Sequence, residues 1–209
     1  DLFITRQEKQ KIKTKFQNLN FYKKNVFSYK DICNFNLKNN SIPKSKSIFS
    51  GADFFTLFTS GSTGIPKGIV HTTAGYLTYS KFTCKEYFGM NSSSIVLTAS
   101  DAGWINGHTY ALFGPLSFGA TTVLLESPNL VLNEKILDKI LKLKITILYL
   151  PVTIIRLARA IYKNKKIKKI ENLTLGSMGE PLAPSVGKWF AEKFSKKNNS
   201  IVNTYFQTE

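Results

Sequence analysis

Short runs rich in β-branched and aromatic residues, separated by helical spacing, constrain this chain to a layered α/β fold. The runs are Phe54 to Phe58, Ile95 to Ala99, Thr121 to Leu125, Thr146 to Leu150, Leu173 to Leu175 and Ile201 to Tyr205. They are nearly continuous in apolar character, which predicts strands covered on both faces, as in parallel sheets. Between them, Asn133 is placed to cap a helix whose Ile136, Leu137, Ile140 and Leu141 share a face. Ile154, Ile155, Ala158 and Ile161 repeat that spacing beyond Pro151. Pro184 suits a first helical turn, with Val186, Trp189, Phe190 and Phe194 on one side. Strand-helix alternation predicts mostly parallel sheets flanked by helices. In such folds ligands gather at loops beyond the carboxyl ends of strands.

The first strand run leads into Thr59-Ser60-Gly61-Ser62-Thr63-Gly64-Ile65-Pro66-Lys67-Gly68. Glycines let successive backbone N–H groups approach and converge on an anion. Ser60, Ser62 and Thr63 add hydroxyl donors, and Lys67 adds a mobile positive charge. The residue types fit a phosphate-gripping loop. The order is not that of a Walker A loop, because Pro66 stands where that motif has its second Gly and Gly68 follows the Lys. A plain Ser/Gly-rich surface turn between two strands is the alternative reading of the composition.

The order Thr-Ser-Gly-Ser-Thr-Gly-x-Pro-Lys-Gly resembles the signature loop of the adenylate-forming superfamily, which includes acyl-coenzyme A synthetases, luciferases and peptide-synthetase adenylation domains. Further blocks follow in the order found in acetyl-coenzyme A synthetases. They are Ser100 to Tyr110, Gly114-Pro115-Leu116, Gly119-Ala120-Thr121-Thr122, Gly176 to Pro181 and Asn203 to Glu209. The matched blocks run from about Asp53 to the last residue.

The resemblance implies an enzyme that joins a short carboxylic acid to ATP as an acyl-adenylate and then passes the acyl group to coenzyme A. It implies that Thr59, Ser60, Gly61, Ser62, Thr63, Gly64 and Lys67 hold phosphates and that Glu209 is a Mg²⁺ ligand. Thr204, Gln207 and Thr208 would hold the nucleotide's phosphate and sugar. Gly179, Glu180 and Pro181 with Tyr205 would surround the adenine, with Asn203 beside it in place of the usual Asp. Ile105, Asn106, Met178 and Phe206 fall at the acyl pocket, Phe206 standing for a usual Trp and Met178 for a usual Val. A smaller Phe deepens the pocket while the flexible Met refills it, so acetate and propionate both remain open. Trp104 matches the junction of acyl pocket and thiol channel. Asn106, in place of a Thr, and Asn129 match positions that contact coenzyme A. His71 and His108 have no visible nucleophile partner and read as structural.

The formal charge of +16 resides in lysines concentrated at Lys9 to Lys15, Lys23-Lys24 and Lys163 to Lys169, with Arg6, Arg156 and Arg159 the arginines. Those runs lie away from the phosphate loop in sequence and carry no aromatic-interleaved, zinc-finger or helix-turn-helix pattern, so no nucleic-acid partner is expected. Cys33 and Cys84 are far apart, giving neither a disulfide framework nor a zinc site. No apolar run approaches a membrane span or a signal-peptide core, and a cytoplasmic protein without membrane partners is expected. Residues 1 to 50 read as a Lys/Asn-rich segment of uncertain order. Residues 51 to 209 read as part of a large nucleotide-binding domain, without the family's mobile C-terminal domain, and such a piece is expected to turn over poorly alone. A non-catalytic nucleotide-binding remnant and an enzyme acylating a carrier protein are the alternatives in other functional classes.

Overall fold

The computed structural model describes residues 3–5, 26–28, 45–59, 64–101, 103–197 and 201–209. The chain divides into two units, residues 1–47 and residues 48–209. In the first unit the described residues form two strands, β1 (Phe3–Thr5) and β2 (Val26–Ser28), paired in parallel.

The second unit opens with β3 (Asp53–Thr59), which pairs antiparallel with β4 (Lys67–Thr72) in a register that sets Thr59 opposite Lys67. The run Phe54 to Phe58 is therefore a strand, but it lies in a two-stranded hairpin rather than in the parallel sheet. Its faces alternate between half-buried and exposed residues, with Phe58 69% exposed. The sequence reading contained neither β4 nor the helix α1 (Thr73–Phe88) that follows it directly. The aromatics of α1 lie on several sides, with Tyr76 and Phe88 buried and Tyr79, Phe82 and Tyr87 exposed, so no single apolar stripe marks it as a helix.

Next come β5 (Ile95–Thr98), a π-helical turn (Gly107–Phe113) continuing into α2 (Gly114–Ser117), and β6 (Thr121–Val123). A 3₁₀ turn (Pro128–Leu132) precedes α3 (Glu134–Lys142), which the Asn133 side chain caps by accepting from the Ile136 N–H at 3.2 Å. The chain continues through β7 (Ile147–Pro151), α4 (Val152–Tyr162), β8 (Thr174–Met178), α5 (Pro184–Phe194) and β9 (Ile201–Asn203). In α4 the buried face carries Ile154, Ile155, Ala158 and Tyr162, while Ile161 is 42% exposed. Seven residues are close to two helical turns, so the face of Ile155 returns at 162 rather than 161.

Strands β6-β5-β7-β8-β9 form one sheet in that order, and every pair is parallel. Successive side chains on a strand point to opposite faces, and each central strand serves two cores accordingly. Val96, Ile147 and Tyr149 join Cys84, Phe88 and Tyr110 on one face. Leu97, Leu148 and Leu150 join α3, α4 and α5 through residues such as Leu137, Ile155 and Phe190 on the other. The chain passes from β5 out to β6 and then back past β5 to β7. The loops leaving β5 and β7 therefore diverge and open a crevice at the carboxyl edge of the sheet. Among the described residues no helix is long and apolar enough to cross a membrane.

Burial in the first core pushes the Cys84 thiol and the Tyr110 phenol up, each to about 12, and raises Tyr149 further. Burial disfavours the anions, so these groups contribute stability in full below their unfolded values, about 8.5 for Cys and 10 for Tyr. That contribution is lost as pH rises through the folded values. The urea midpoint is expected to hold steady from pH 6 to 8 and to fall progressively from about pH 9 toward 12. An unchanged midpoint between pH 8 and 11 would contradict this account of the core.

Candidate functional site

All five parallel strands end on the same side, and the residues leaving each of them line one cleft of about 880 Å³. Ser100, Asp101, Trp104, Ile105 and Asn106 come after β5, Pro128 and Asn129 after β6, and Pro151, Thr153 and Ile154 from the end of β7. Met178, Gly179, Glu180 and Pro181 come from the end of β8, and Asn203 to Thr208 from β9. Residues spread over a hundred positions of sequence are neighbours because parallel connections return every strand end to one edge.

The residues expected at an acyl pocket all line this cleft. Ile105 and Met178 are 5% and 3% exposed, and the Asn106 amide Nδ2 donates to the Met178 Sδ at 3.3 Å. Phe206 stands edge-on to Tyr110, with ring centroids 6.0 Å apart. Met178 also belongs to the core around Tyr149 and Tyr110, so it serves as packing and as cleft lining together. The Asn106 Oδ1 is buried without a hydrogen-bond partner among the described residues.

Beneath the last loop runs a hydrogen-bond network that the sequence reading did not contain. The Thr204 hydroxyl donates to the Ser177 carbonyl at 3.0 Å, and the Thr204 N–H donates to the same oxygen at 3.0 Å. Since that hydroxyl has given its one proton away, Tyr149 is the donor in its 2.5 Å contact with Thr204 Oγ1. The raised Tyr149 phenol keeps that proton across the neutral range. Thr204 therefore has no proton left for a phosphate oxygen, and its hydroxyl fixes the loop instead. Ser177 in turn donates from Oγ to the Asn203 Oδ1 at 2.9 Å. Tyr149 lies within an apolar strand run, where the sequence marks it only as an interior residue, and Ser177 lies in the Gly176 to Pro181 block, where the sequence assigns it no role of its own.

At the far rim Gly179 has φ 87°, a conformation that only glycine adopts without strain, and the turn it makes carries Glu180 to the cleft edge. Arg156 of α4 bonds Glu180 through Nη1 at 2.9 Å. Both side chains are about half exposed, so the pair adds at most about 1 kcal/mol, but it fixes the direction of the carboxylate. Trp104 is 68% and Tyr205 86% exposed, leaving two aromatic faces open at the cleft.

Of the expected phosphate loop, Ser60, Gly61, Ser62 and Thr63 lie outside the described residues. Thr59 closes β3, Gly64 has φ 79°, and the exposed Lys67 opens β4. The loop thus joins two antiparallel strands. Thr59, Gly64, Lys67 and Glu209 are not among the cleft-lining residues, although Glu209 directly follows Thr208, which is. The hairpin is tied to the cleft wall through stacked rings. Phe55 lies parallel to His108 at 5.1 Å, and the His108 Nδ1 bonds the Trp104 carbonyl at 3.1 Å. A carbonyl only accepts, so Nδ1 carries the proton and His108 acts as a packing and bridging residue. His71 packs between Phe55 and Tyr76.

Among the described residues no Lys, Arg or His lines the cleft, so an anionic ligand there depends on amide and hydroxyl donors and on charge brought from the rim. An apolar recess, open aromatic faces and convergent amides suit a flat heterocycle joined to a small apolar group.

A family model described as AMP-binding enzyme matches residues 4–209, so the likeness reaches further toward the start than the motif blocks carry it. The chain is 44% identical to Acetyl-coenzyme A synthetase 2 of Debaryomyces hansenii over 159 residues, which cover 74% of this chain and 23% of that protein. It is 42% identical to Acetyl-coenzyme A synthetase 2 of Candida albicans over 166 residues, covering 78% and 25%. It is 40% identical to Acetyl-coenzyme A synthetase of Psychromonas ingrahamii over 158 residues, covering 74% and 24%. The chain spans about a quarter of the length of these relatives.

Proposed function

This chain belongs to the AMP-binding enzyme family, and from that premise we propose that the protein carrying it is an AMP-forming acid–coenzyme A ligase acting on acetate. In the first step a carboxylate oxygen attacks the α-phosphorus of ATP and pyrophosphate leaves. In the second the coenzyme A thiol attacks the acyl carbon, AMP leaves, and the thiol proton passes to the medium. The observation that supports this reading is that the residues expected at the acyl pocket, the base and the thiol approach all line one cleft at the carboxyl edge of the sheet.

Each residue then has a physical task. Two anions must meet in the first step, and the N–H groups and hydroxyls of the Thr59 to Gly64 loop with Lys67 would lower their repulsion. Gln207 and Thr208 are the cleft-lining donors left to hold phosphate and sugar once Thr204 is committed to Ser177. Gly179, Glu180, Pro181 and Tyr205 bound the region for the base. Trp104, Asn106 and Asn129 bound the approach of the thiol. Among the described residues no group of three or more His, Cys, Asp or Glu could hold a metal ion. One exposed carboxylate directly following the cleft-lining Thr208 nevertheless fits Mg²⁺, which is usually held by one or two carboxylates together with substrate phosphates. Glu209 would hold it. The ion would supply charge neutralisation on the phosphates.

The test is acetate-dependent exchange of pyrophosphate into ATP by the full-length protein, with coenzyme A consumption as the second step. Failure with acetate, propionate and butyrate alike would remove the assignment. Propionate is the second reading, favoured by the adaptable Met178 against Phe206. Met178→Val withdraws the side chain that reaches Asn106, and the propionate-to-acetate ratio of kcat/KM is expected to rise about tenfold, the value of roughly one methylene. A ratio unchanged within a factor of about two would take Met178 out of the acyl pocket.

A further inference from the structure

We propose that Arg156 is a positioning residue for nucleotide binding: by pairing with Glu180 it holds that carboxylate against α4 and cancels its charge, so that the cleft admits a polyphosphate. This rests on the nucleotide reading of the cleft given above and concerns only the charge that the ligand meets.

Among the described residues the cleft is lined by two carboxylates, Asp101 and Glu180, and by no cation. A third carboxylate, Glu209, directly follows the lining Thr208. A triphosphate is itself strongly anionic, so every lining carboxylate left uncompensated repels it. Asp101 is turned back on its own loop, where Oδ1 accepts from the Gly103 N–H at 2.7 Å. Glu180 is answered by Arg156, whose Nη1 lies 2.9 Å from Oε2.

Arg156 is not itself a lining residue. It stands one turn beyond Thr153, which is, on the exposed side of α4. A guanidinium set behind the rim draws the carboxylate away from the ligand as well as neutralising it. The next turn of α4 repeats the link, with Arg159 Nη1 donating to the Ser185 Oγ at 3.4 Å. The connection from Gly179 to Ala183 is thus tied to α4 near each end. Loss of Arg156 would add one negative charge to the wall and free the carboxylate to swing over the cleft. Repulsion acts on the charge of the ligand, so a triphosphate would feel it and a neutral nucleoside would not.

The experiment measures pyrophosphate exchange by full-length Arg156→Gln at low salt with ATP varied. KM for ATP is expected to rise about fivefold with kcat within about twofold, the size of one added charge acting on a phosphate chain across a solvated cleft. In 0.5 M KCl, where the Debye length is about 4 Å, the variant-to-wild-type KM ratio is expected to fall below about twofold. Arg156→Lys keeps the charge and is expected to lie within about twofold of wild type. Adding Glu180→Gln to Arg156→Gln removes the unpaired anion, and KM is expected to drop at least about twofold from that of the single variant. No rise in Arg156→Gln, a rise that salt leaves intact, an equal rise in Arg156→Lys, or no recovery in the double variant overturns the proposal. Equilibrium dialysis of ATP and adenosine separates it from the reaction. Arg156→Gln is expected to raise Kd about fivefold for ATP and less than about twofold for adenosine. If exchange fails with every acid but this pattern holds, the reaction falls and the Arg156 assignment stands. If adenosine is weakened as much as ATP, Arg156 only supports the fold and the assignment falls.

Discussion

Gly114→Ala is expected to destabilise the fold by about 3 kcal/mol, at the upper end of ordinary overpacking. A Cβ at this position would lie 2.3 Å from the Cys84 Sγ and 2.5 Å from the Thr109 carbonyl oxygen. The first clash involves a side chain, but one that is fully buried among Phe88, Tyr110 and Tyr149 and has no room to retreat. The second involves the backbone of the π-helical turn, whose Tyr110 carbonyl also accepts from Thr98 at 2.8 Å. The double substitution Gly114→Ala with Cys84→Ala discriminates the two. If the backbone clash dominates, removing the sulfur restores little, and urea unfolding of the double variant stays close to that of the single. Recovery to within about 0.5 kcal/mol of Cys84→Ala would show the sulfur alone to be the obstacle. A Gly114→Ala variant as stable as the wild type would contradict the packing around Cys84 altogether.

Glu209→Gln in the full-length protein is expected to lower acetate-dependent pyrophosphate exchange by about 10²–10³, the usual consequence of removing one group that stabilises developing charge. Glu209 is exposed and follows the cleft-lining Thr208, so its folding contribution is small and the unfolding midpoint should shift by no more than about 0.5 kcal/mol. The amide keeps the shape and loses the charge, which a hard cation requires. Raising the Mg²⁺ concentration is expected to recover part of the lost rate, since weakened metal binding is overcome by mass action. Exchange within about threefold of wild type at low Mg²⁺ would remove Glu209 from the metal role.

The order of elements in the parallel sheet was legible because each strand there is a short, nearly continuous apolar run and each helix keeps its apolar positions on one side. The same periodicity argument misplaced Phe54 to Phe58. An apolar run whose Phe54 and Phe55 both pack on Tyr76 and Phe113 while Phe58 further along is exposed reads the same as one covered on both faces. It could not show α1, whose aromatics are spread around the helix, nor β4, whose Gly68 and His71 carry no strand pattern. At the site, the positions from Trp104 to Asn106, Met178 to Pro181 and Asn203 to Thr208 were legible as residues at or beyond strand ends, and they line the cleft. Arg156, Tyr149 and Ser177 were not, since each acts through a partner distant in sequence.

What the chain determines by itself is therefore local: which stretches become parallel strands and their helices, and which intervening loops hold glycines, amides, hydroxyls and open aromatics. Those depend on propensity and spacing within a few residues of one another. The tertiary structure decided the rest. It gathered the ends of five strands into one cleft, gave the proton of Thr204 to the Ser177 carbonyl, and set the Asn203 amide oxygen to accept from the buried Ser177 hydroxyl. The physical reason is register. A hydrogen bond such as Ser177 to Asn203 spans 26 positions and exists only because β8 and β9 pair with those two residues side by side. One step of slippage would turn Asn203 to the opposite face of the sheet.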